Sequence, residues 1–281
     1  MNYKIKSLLY ILILLSSFSI YGQELKLMTY NIRLNVESDG INKWDNRKEF
    51  LTSQIAFYDP DIFGLQEAKP EQVTYIENTL PGYTKIGIGR DENGSGEASC
   101  LFYKNDRFDL LAQNTFWLSE TPETISKGWD AAYRRICTYG YFYDKELKIN
   151  FYVFNTHLDH IGEVARTKGI ELILDKIKTI NSDNEPVFLM GDFNSTPDSD
   201  RIITLREKMD DSRLISIDKP FGPDASFNGF QFNIAPENLI DYIFLNKNSD
   251  FIVKKYAILT DNKNMLYPSD HFPVFIILNH K

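Results

Sequence analysis

Nine polar residues stand at or beside the ends of apolar runs. Asn31 interrupts LMTYNIRL, Glu67 closes DIFGLQE, and His157 and Asp159 close FYVFNTHLD. Asp192 and Asn194 fall in VFLMGDFN, Asp241 sits in LIDYIFL, and Asp270 and His271 open SDHFPVF. One such residue is ordinary loop polarity. Six such points, almost all carboxylate, amide or imidazole, imply a shared crevice, because strand ends in layered α/β folds deliver side chains to one place. Glu67, Asp192 and Asp270 offer hard oxygen ligands, and the amides of Asn31 and Asn194 can coordinate or hydrogen-bond. No cysteine or histidine cluster has zinc spacing, so the cation these donors suit is magnesium, with manganese as the alternative. An imidazole beside a carboxylate with a divalent ion nearby is equipment for activating water or stabilising a pentavalent phosphoryl transition state.

The elements that must carry these residues alternate along the chain without repeats or low-complexity linkers. Residues 25–34 read as a strand, and Asp45 as the cap of a helix reaching Phe57, with Phe50, Leu51, Ile55 and Ala56 at helical spacing. A short strand over 61–65 leads to Pro70, which suits the first turn of a second helix ending near Leu80. Aromatic and β-branched enrichment from Tyr83 to Phe154 predicts antiparallel strands (TKIGIG, SCLFYK, FDLLAQ, RICTYGYFY, INFYVF), with the polar stretch 117–134 as a surface loop. Ile161, Val164, Ala165, Leu172, Ile173, Ile177 and Ile180 mark one face of a long helix. Four further strands follow, in PVFLMGDFN, NLIDYIFL, FIVKKYAIL and DHFPVFIIL. The expected fold is α/β (α+β): two packed sheets with helices on their outer faces, in one domain over residues 23–281.

Composition narrows the function classes. With 43% hydrophobic and 25% charged residues the chain is globular. Its formal charge of −8 removes the global field a nucleic-acid coater needs, while leaving room for a local basic cleft. Cys100 and Cys137 are too few for a disulfide scaffold; both lie on strand-like runs and are expected unpaired, packing as small apolar groups. Residues 1–22 carry Lys4 and Lys6, an apolar run over 8–15, then small and polar residues to Gly22. That is the layout of a cleavable export signal, and the apolar run falls short of the ~20 residues a bilayer span needs. Export to the periplasm or beyond, with no membrane span after processing, is the expectation; an uncleaved anchor is the alternative.

Taken in order, TYNIR, GLQE, NTHLD, GDFN, IDYIF and SDHFP make the chain resemble the endonuclease/exonuclease/phosphatase superfamily, whose fold is that of pancreatic deoxyribonuclease. The run KWDNRKEFLTSQIAFYDPDIFGLQE looks like the branch of the deadenylases and nocturnin, and like exported bacterial hydrolases. The resemblance implies a four-layer sandwich of two mainly antiparallel sheets flanked by helices. It makes Glu67 the principal metal ligand, assisted by Asn31, with Asp270 joining the site. Asp192 and Asn194 hold the attacking water and contact the phosphate, His271 lies at the phosphate with Asp241 orienting its ring, and His157 donates to a phosphate oxygen. Arg135 corresponds to a phosphate-contacting arginine, with a structural ion pair as the competing role. Asp159 and His160 are rim or supporting groups. Trp44, Asp45 and Arg47 either line the pocket or anchor the following helix, and Arg33 and Arg90 are phosphate contacts or surface charge. Phe227, Asn228 and Phe230 form a substrate-facing loop or a local turn.

The implied reaction is metal-assisted hydrolysis of a phosphodiester or phosphomonoester by in-line attack of water. GxSxG is absent, and GIGRDENG lacks the GK[ST] ending of a phosphate loop. LIDYIF stands where an inositol-polyphosphate phosphatase carries a WCDR-type segment. Nutrient scavenging remains, on a small phosphoester, nucleotide, oligonucleotide or lipid headgroup, by a monomer without a stable nucleic-acid partner. Phe116, Trp117, Trp129 and Tyr133 either stack on a base or sugar or pack their own loop. The alternatives are a non-catalytic phosphate-ligand-binding protein on the same fold and a 3′–5′ exonuclease acting on RNA or DNA.

Overall fold

The computed structural model describes residues 24–247 and 249–281; the expected export signal lies outside them. Strand β1 (Glu24–Asn31) leads to helix α1 (Trp44–Tyr58), β2 (Ile62–Gln66), α2 (Pro70–Thr79), β3 (Tyr83–Ile86) and β4 (Leu101–Lys104). The chain continues through β5 (Phe108–Trp117), β6 (Ile136–Asp144), β7 (Ile149–His157), α3 (Glu163–Ile180) and β8 (Val187–Asp192). It ends with α4 (Asp200–Lys208), β9 (Met209–Asp211), α5 (Ser212–Ile215), β10 (Asp241–Asn246), β11 (Phe251–Ile258) and β12 (Val274–His280). Two six-stranded sheets result, ordered β11-β12-β1-β2-β4-β3 and β5-β6-β7-β8-β10-β9. All strand pairs are antiparallel except β1 with β2 and β7 with β8.

Period-two burial builds the layers. In β1, Leu25 and Leu27 join the core cluster that also holds Phe151, Phe154, Leu189 and Ile243 of the second sheet. Met28 and Tyr30, on the opposite face of the strand, join Leu51 and Ile55 of α1 and Val73 and Ile76 of α2. On the other outer face, Gly169 of α3 packs its backbone against Leu118 and Leu158, with Ile170 and Ile173 buried beside it. The expected stripe on this helix is displaced: Ile161 and Val164 are 64% and 50% exposed, because Ala165, Gly169, Ile170 and Ile173 carry the contact. In α1 the buried face is Trp44, Arg47, Leu51 and Ile55, whereas Ala56 is exposed. Asp45 is not the cap; Lys43 occupies that place, and Asp45 pairs with Lys48.

Two further expectations are corrected, and one helix has no counterpart in the sequence reading. Strand β5 runs on to Trp117, so Phe116 and Trp117 are buried in a strand rather than carried on the loop. The last strand begins at Val274, leaving Asp270 and His271 in the preceding loop. Helix α4 was not anticipated. Its sequence, DRIITLREK, buries only Ile202 and Leu205, which leaves little apolar periodicity to read. Cys100 and Cys137 are free and buried, as expected.

The two parallel pairs fix the site's location. Asn31 registers with Gln66, His157 with Asp192, and Asp192 with Asp241, so one end of both sheets collects these side chains. Beneath that end, Gln66 Nε2 donates to Thr29 Oγ1 at 3.0 Å and across the sheet interface to Asn155 Oδ1 at 2.6 Å. Asn155 Nδ2 donates to the carbonyls of Leu65 and Cys100, both at 2.9 Å. Gly64 makes room for this buried bridge: a Cβ there would lie 2.6 Å from Asn155 Cγ. Gly64→Ala is therefore expected to cost about 2–4 kcal/mol by overpacking and by breaking the bridge, read as a lower denaturant midpoint.

Candidate active site

A cleft of about 690 Å³ opens at this shared sheet end, lined among others by Arg33, Glu67, Arg90, Arg135, His157, Asp192, Asn194, Asp270 and His271. Three of its residues, Arg33, Glu67 and Asn194, hold left-handed backbone conformations at φ 55°, 61° and 45°. Non-glycine residues adopt this region at a cost of order 1–3 kcal/mol, and such strain collects where function requires a particular side-chain direction. In GDFN the glycine is dictated by its neighbour strand: a Cβ on Gly191 would lie 2.0 Å from Thr156 O.

Asp192 is the hub. Its Oδ1 accepts the Asn194 N–H at 2.9 Å, and its Oδ2 accepts from Asn31 Nδ2 at 2.9 Å. The same Oδ2 faces His157 Nε2 at 3.4 Å and His271 Nε2 at 3.9 Å. Burial and the neighbouring Asp241 push the Asp192 carboxyl upward. His271 Nδ1 donates to Asp241 Oδ2 at 2.8 Å. Burial alone would lower the His271 pKa, but Asp241, with Asp192 and Asp270 behind it, overcomes this and raises it to about 10, so the ring is an imidazolium at neutral pH. Burial, followed by Arg135 and His271, drives His157 the other way, well below its ordinary value, so that ring is neutral. Two histidines thus face one carboxylate in different charge states.

Glu67 Oε1 accepts from Asn31 Nδ2 at 3.1 Å and its Oε2 from Leu34 N–H at 2.9 Å. Asn31 lies between the two carboxylates, its Nδ2 donating to Glu67 and to Asp192. Its Oδ1 accepts from Arg33 N–H at 3.0 Å, so the amide also aligns Glu67 and Asp192. Asp270 is buried and its carboxyl is raised, chiefly by burial. Arg33 Nε lies 3.8 Å from it. Glu67, Asp192 and Asp270 therefore give the cleft three carboxylates, two of them buried, a donor set that fits a hard divalent cation. Asp192, Asp241 and His271 also have ligand atoms within 4.8 Å of one another. That trio is better read as a His–Asp pair facing Asp192, because His271 Nδ1 is already committed to Asp241 and hard cations favour oxygen.

Supporting residues are disposed as follows. Arg135 is buried against Asp159 Oδ1 at 3.2 Å and reaches His160 Nδ1 at 3.1 Å, so it is an ion pair that also lines the cleft. Asp159 accepts N–H groups of Ala132, Ile161 and Gly162 at 3.0, 3.1 and 2.8 Å. Burial opposes its ionisation, yet these donors and Arg135 hold it below the usual carboxylate range. A depressed folded pKa stabilises above the unfolded value near 4 and loses that contribution as pH falls. Asp159→Asn is expected to lower stability by about 2–3 kcal/mol at pH 7 and to narrow the gap to the native chain at pH 3, measured by denaturant unfolding. Phe227 lines the cleft, whereas Asn228 closes a local turn by accepting the Phe230 N–H at 2.8 Å.

Two positioning groups support the site from behind, of which Ser226 carries no sequence signal. Ser226 Oγ donates to Asp241 Oδ2 at 2.6 Å and fixes the carboxylate behind His271. Arg47 is buried and donates to the carbonyls of Ile32, Arg33, Asn42 and Pro268 at 2.5, 2.6, 2.9 and 3.1 Å. It ties the segment after β1 to the one before His271, and it does not line the cleft. Its place in WDNRKE was the available signal.

The chain matches the model of the endonuclease/exonuclease/phosphatase family over residues 28–271. The structure superposes on a family member from Bacteroides thetaiotaomicron with a TM-score of 0.86 at 36% identity, covering 92% of this chain and 99% of that one. A mannosyl-6-phosphatase of the same organism gives 0.84 at 37% identity, with 90% and 99% covered. Mouse nocturnin is 23% identical over 82% of this chain, which spans 57% of nocturnin. With the match spanning nearly every described strand, the chain belongs to the endonuclease/exonuclease/phosphatase family of divalent-metal-dependent hydrolases.

Proposed function

We propose that this chain is an exported, magnesium-dependent phosphoric ester hydrolase that cleaves a small phosphomonoester by direct attack of water, with manganese as a substitute ion. The observation that carries this is the convergence on Asp192 Oδ2 of Asn31, a neutral His157 and a protonated His271, beside Glu67 and Asp270. Asp192, with Asn194, holds and polarises the water. His271 donates from Nε2 toward a phosphoryl oxygen, and Asp241 keeps the proton on the ring. Arg33 and Arg135 draw the anion into an otherwise acidic molecule. Glu67 and Asp270 would hold the divalent cation, whose charge offsets that accumulating on the phosphoryl oxygens.

A cleft of about 690 Å³ suits a small ligand, and the likeness to a mannosyl-6-phosphatase favours a monoester over a polymer. Export rests on the basic, apolar and small-residue layout of residues 1–22. No helix of the described residues is long and apolar enough to cross a membrane. The test is a panel with magnesium and with chelator: p-nitrophenyl phosphate, hexose 6-phosphates, bis(p-nitrophenyl) phosphate, single-stranded RNA and DNA. Chelator-sensitive release of phosphate from the monoesters is expected. Cleavage of the diester or RNA alone would replace this reading with a nuclease, and silence throughout with a binding role.

A further inference from the structure

One wall of the cleft plays no part in the chemistry assembled around Asp192. It is a turn over residues 87–98, fixed at three points. Ala98 N–H donates to Ala68 O at 2.8 Å, next to Glu67; Trp117 Nε1 donates to Arg90 O at 2.9 Å; and Arg134 Nη1 donates to Asp91 Oδ1 at 2.9 Å. From this rigid turn Arg90 and Glu97 reach the cleft, joined by two bonds of 3.0 and 2.7 Å. Their side chains are only 11% and 16% exposed, so hydrogen bonds made there meet little competition from water. The Tyr133 ring lies beside them, with the Arg90 guanidinium 5.0 Å from its centroid and the His160 ring stacked at 5.8 Å and 15°.

We propose that Arg90 and Glu97 form the leaving-group subsite and select a polyhydroxylated ring, making the substrate a cyclic polyol monophosphate such as a sugar phosphate. This rests on the monoesterase reading of the same cleft. A hydroxyl both donates and accepts, a guanidinium only donates and a carboxylate only accepts. Neighbouring hydroxyls can therefore donate to Glu97 while accepting from Arg90, and the pair's mutual bonds hold both groups ready. Arg90 commits two N–H groups to Glu97, leaving others for a ligand. The Tyr133 ring, though 53% exposed, is shared by the Arg90 guanidinium and the His160 ring, and the adenosine monophosphate arm of the test reads whether it also takes a base.

The test compares kcat/KM for hexose 6-phosphates, adenosine 5′-monophosphate and p-nitrophenyl phosphate in the wild type and in Arg90→Ala, Glu97→Gln and His271→Ala. The hexose-to-aryl ratio is expected to fall at least tenfold in both subsite variants, and to stay constant in His271→Ala while both rates drop. Glu97→Gln preserves side-chain shape, so a folding defect in Arg90→Ala leaves the comparison standing. An unchanged ratio in Glu97→Gln, or a wild-type preference for the nucleotide, overturns the subsite while the monoesterase stands. A folded wild type that hydrolyses no monoester overturns the monoesterase reading and the subsite together.

Discussion

Glu67→Gln is expected to lower magnesium-supported turnover on the order of 10³-fold, comparable to removing a principal electrostatic stabiliser of a transition state, and to leave thermal unfolding nearly unchanged. The amide keeps a carbonyl oxygen to accept from Leu34 N–H or Asn31 Nδ2, the two bonds Glu67 makes, so the strained loop after β2 can keep its shape. What is lost is the negative charge at the cleft. Calorimetric titration with magnesium should show weakened binding in the same variant. Wild-type turnover in Glu67→Gln would contradict the ligand assignment; a large fall in melting temperature would make the effect structural.

His271→Ala is expected to reduce kcat by about 10²–10³-fold with little change in KM, because a protonated ring aimed at a phosphoryl oxygen helps most when charge builds there. An effect confined to KM would assign His271 to ground-state binding instead. Asp241→Asn reports on the same ring by pH. Asp241 is the main group raising His271 to about 10, so its neutralisation must lower that pKa toward the ordinary value near 6.5. The alkaline fall of activity should then begin at least a unit lower in pH than in the native chain, along with a 10–100-fold loss of kcat. Coincident pH profiles would remove Asp241 from its role behind His271.

Much of this organisation is legible in the sequence where one physical rule dominates. Buried strands such as VFLMGD and FYVFNTH announce themselves by apolar runs, and their ends carry the polar groups that reach the cleft. Legibility fails where tertiary contacts override local pattern. Ile161 and Val164 have the right hydropathy for the α3 stripe but lie off the face that Gly169 brings close to Leu118 and Leu158. Phe116 and Trp117 read as loop aromatics until β5 is seen to pair along its full length with β6. The role of Ser226 is invisible in one dimension, since it acts on Asp241 across 15 residues of chain, and WDNRKE marks Arg47 without showing that it holds the Ile32, Arg33 and Pro268 carbonyls. The use of Asn31 as an aligner of two carboxylates likewise depends on which of its amide atoms faces Glu67 and Asp192.

The central claim is that a divalent cation and the Asp192–His271 constellation together hydrolyse a phosphomonoester. Its most direct test is phosphate release from p-nitrophenyl phosphate by the purified chain after chelation and dialysis, followed by stepwise return of magnesium. The account predicts negligible turnover in the stripped protein, saturable recovery with magnesium, and no recovery in Glu67→Gln at the same concentrations. Full turnover in the stripped protein, or equal recovery in the variant, would contradict it.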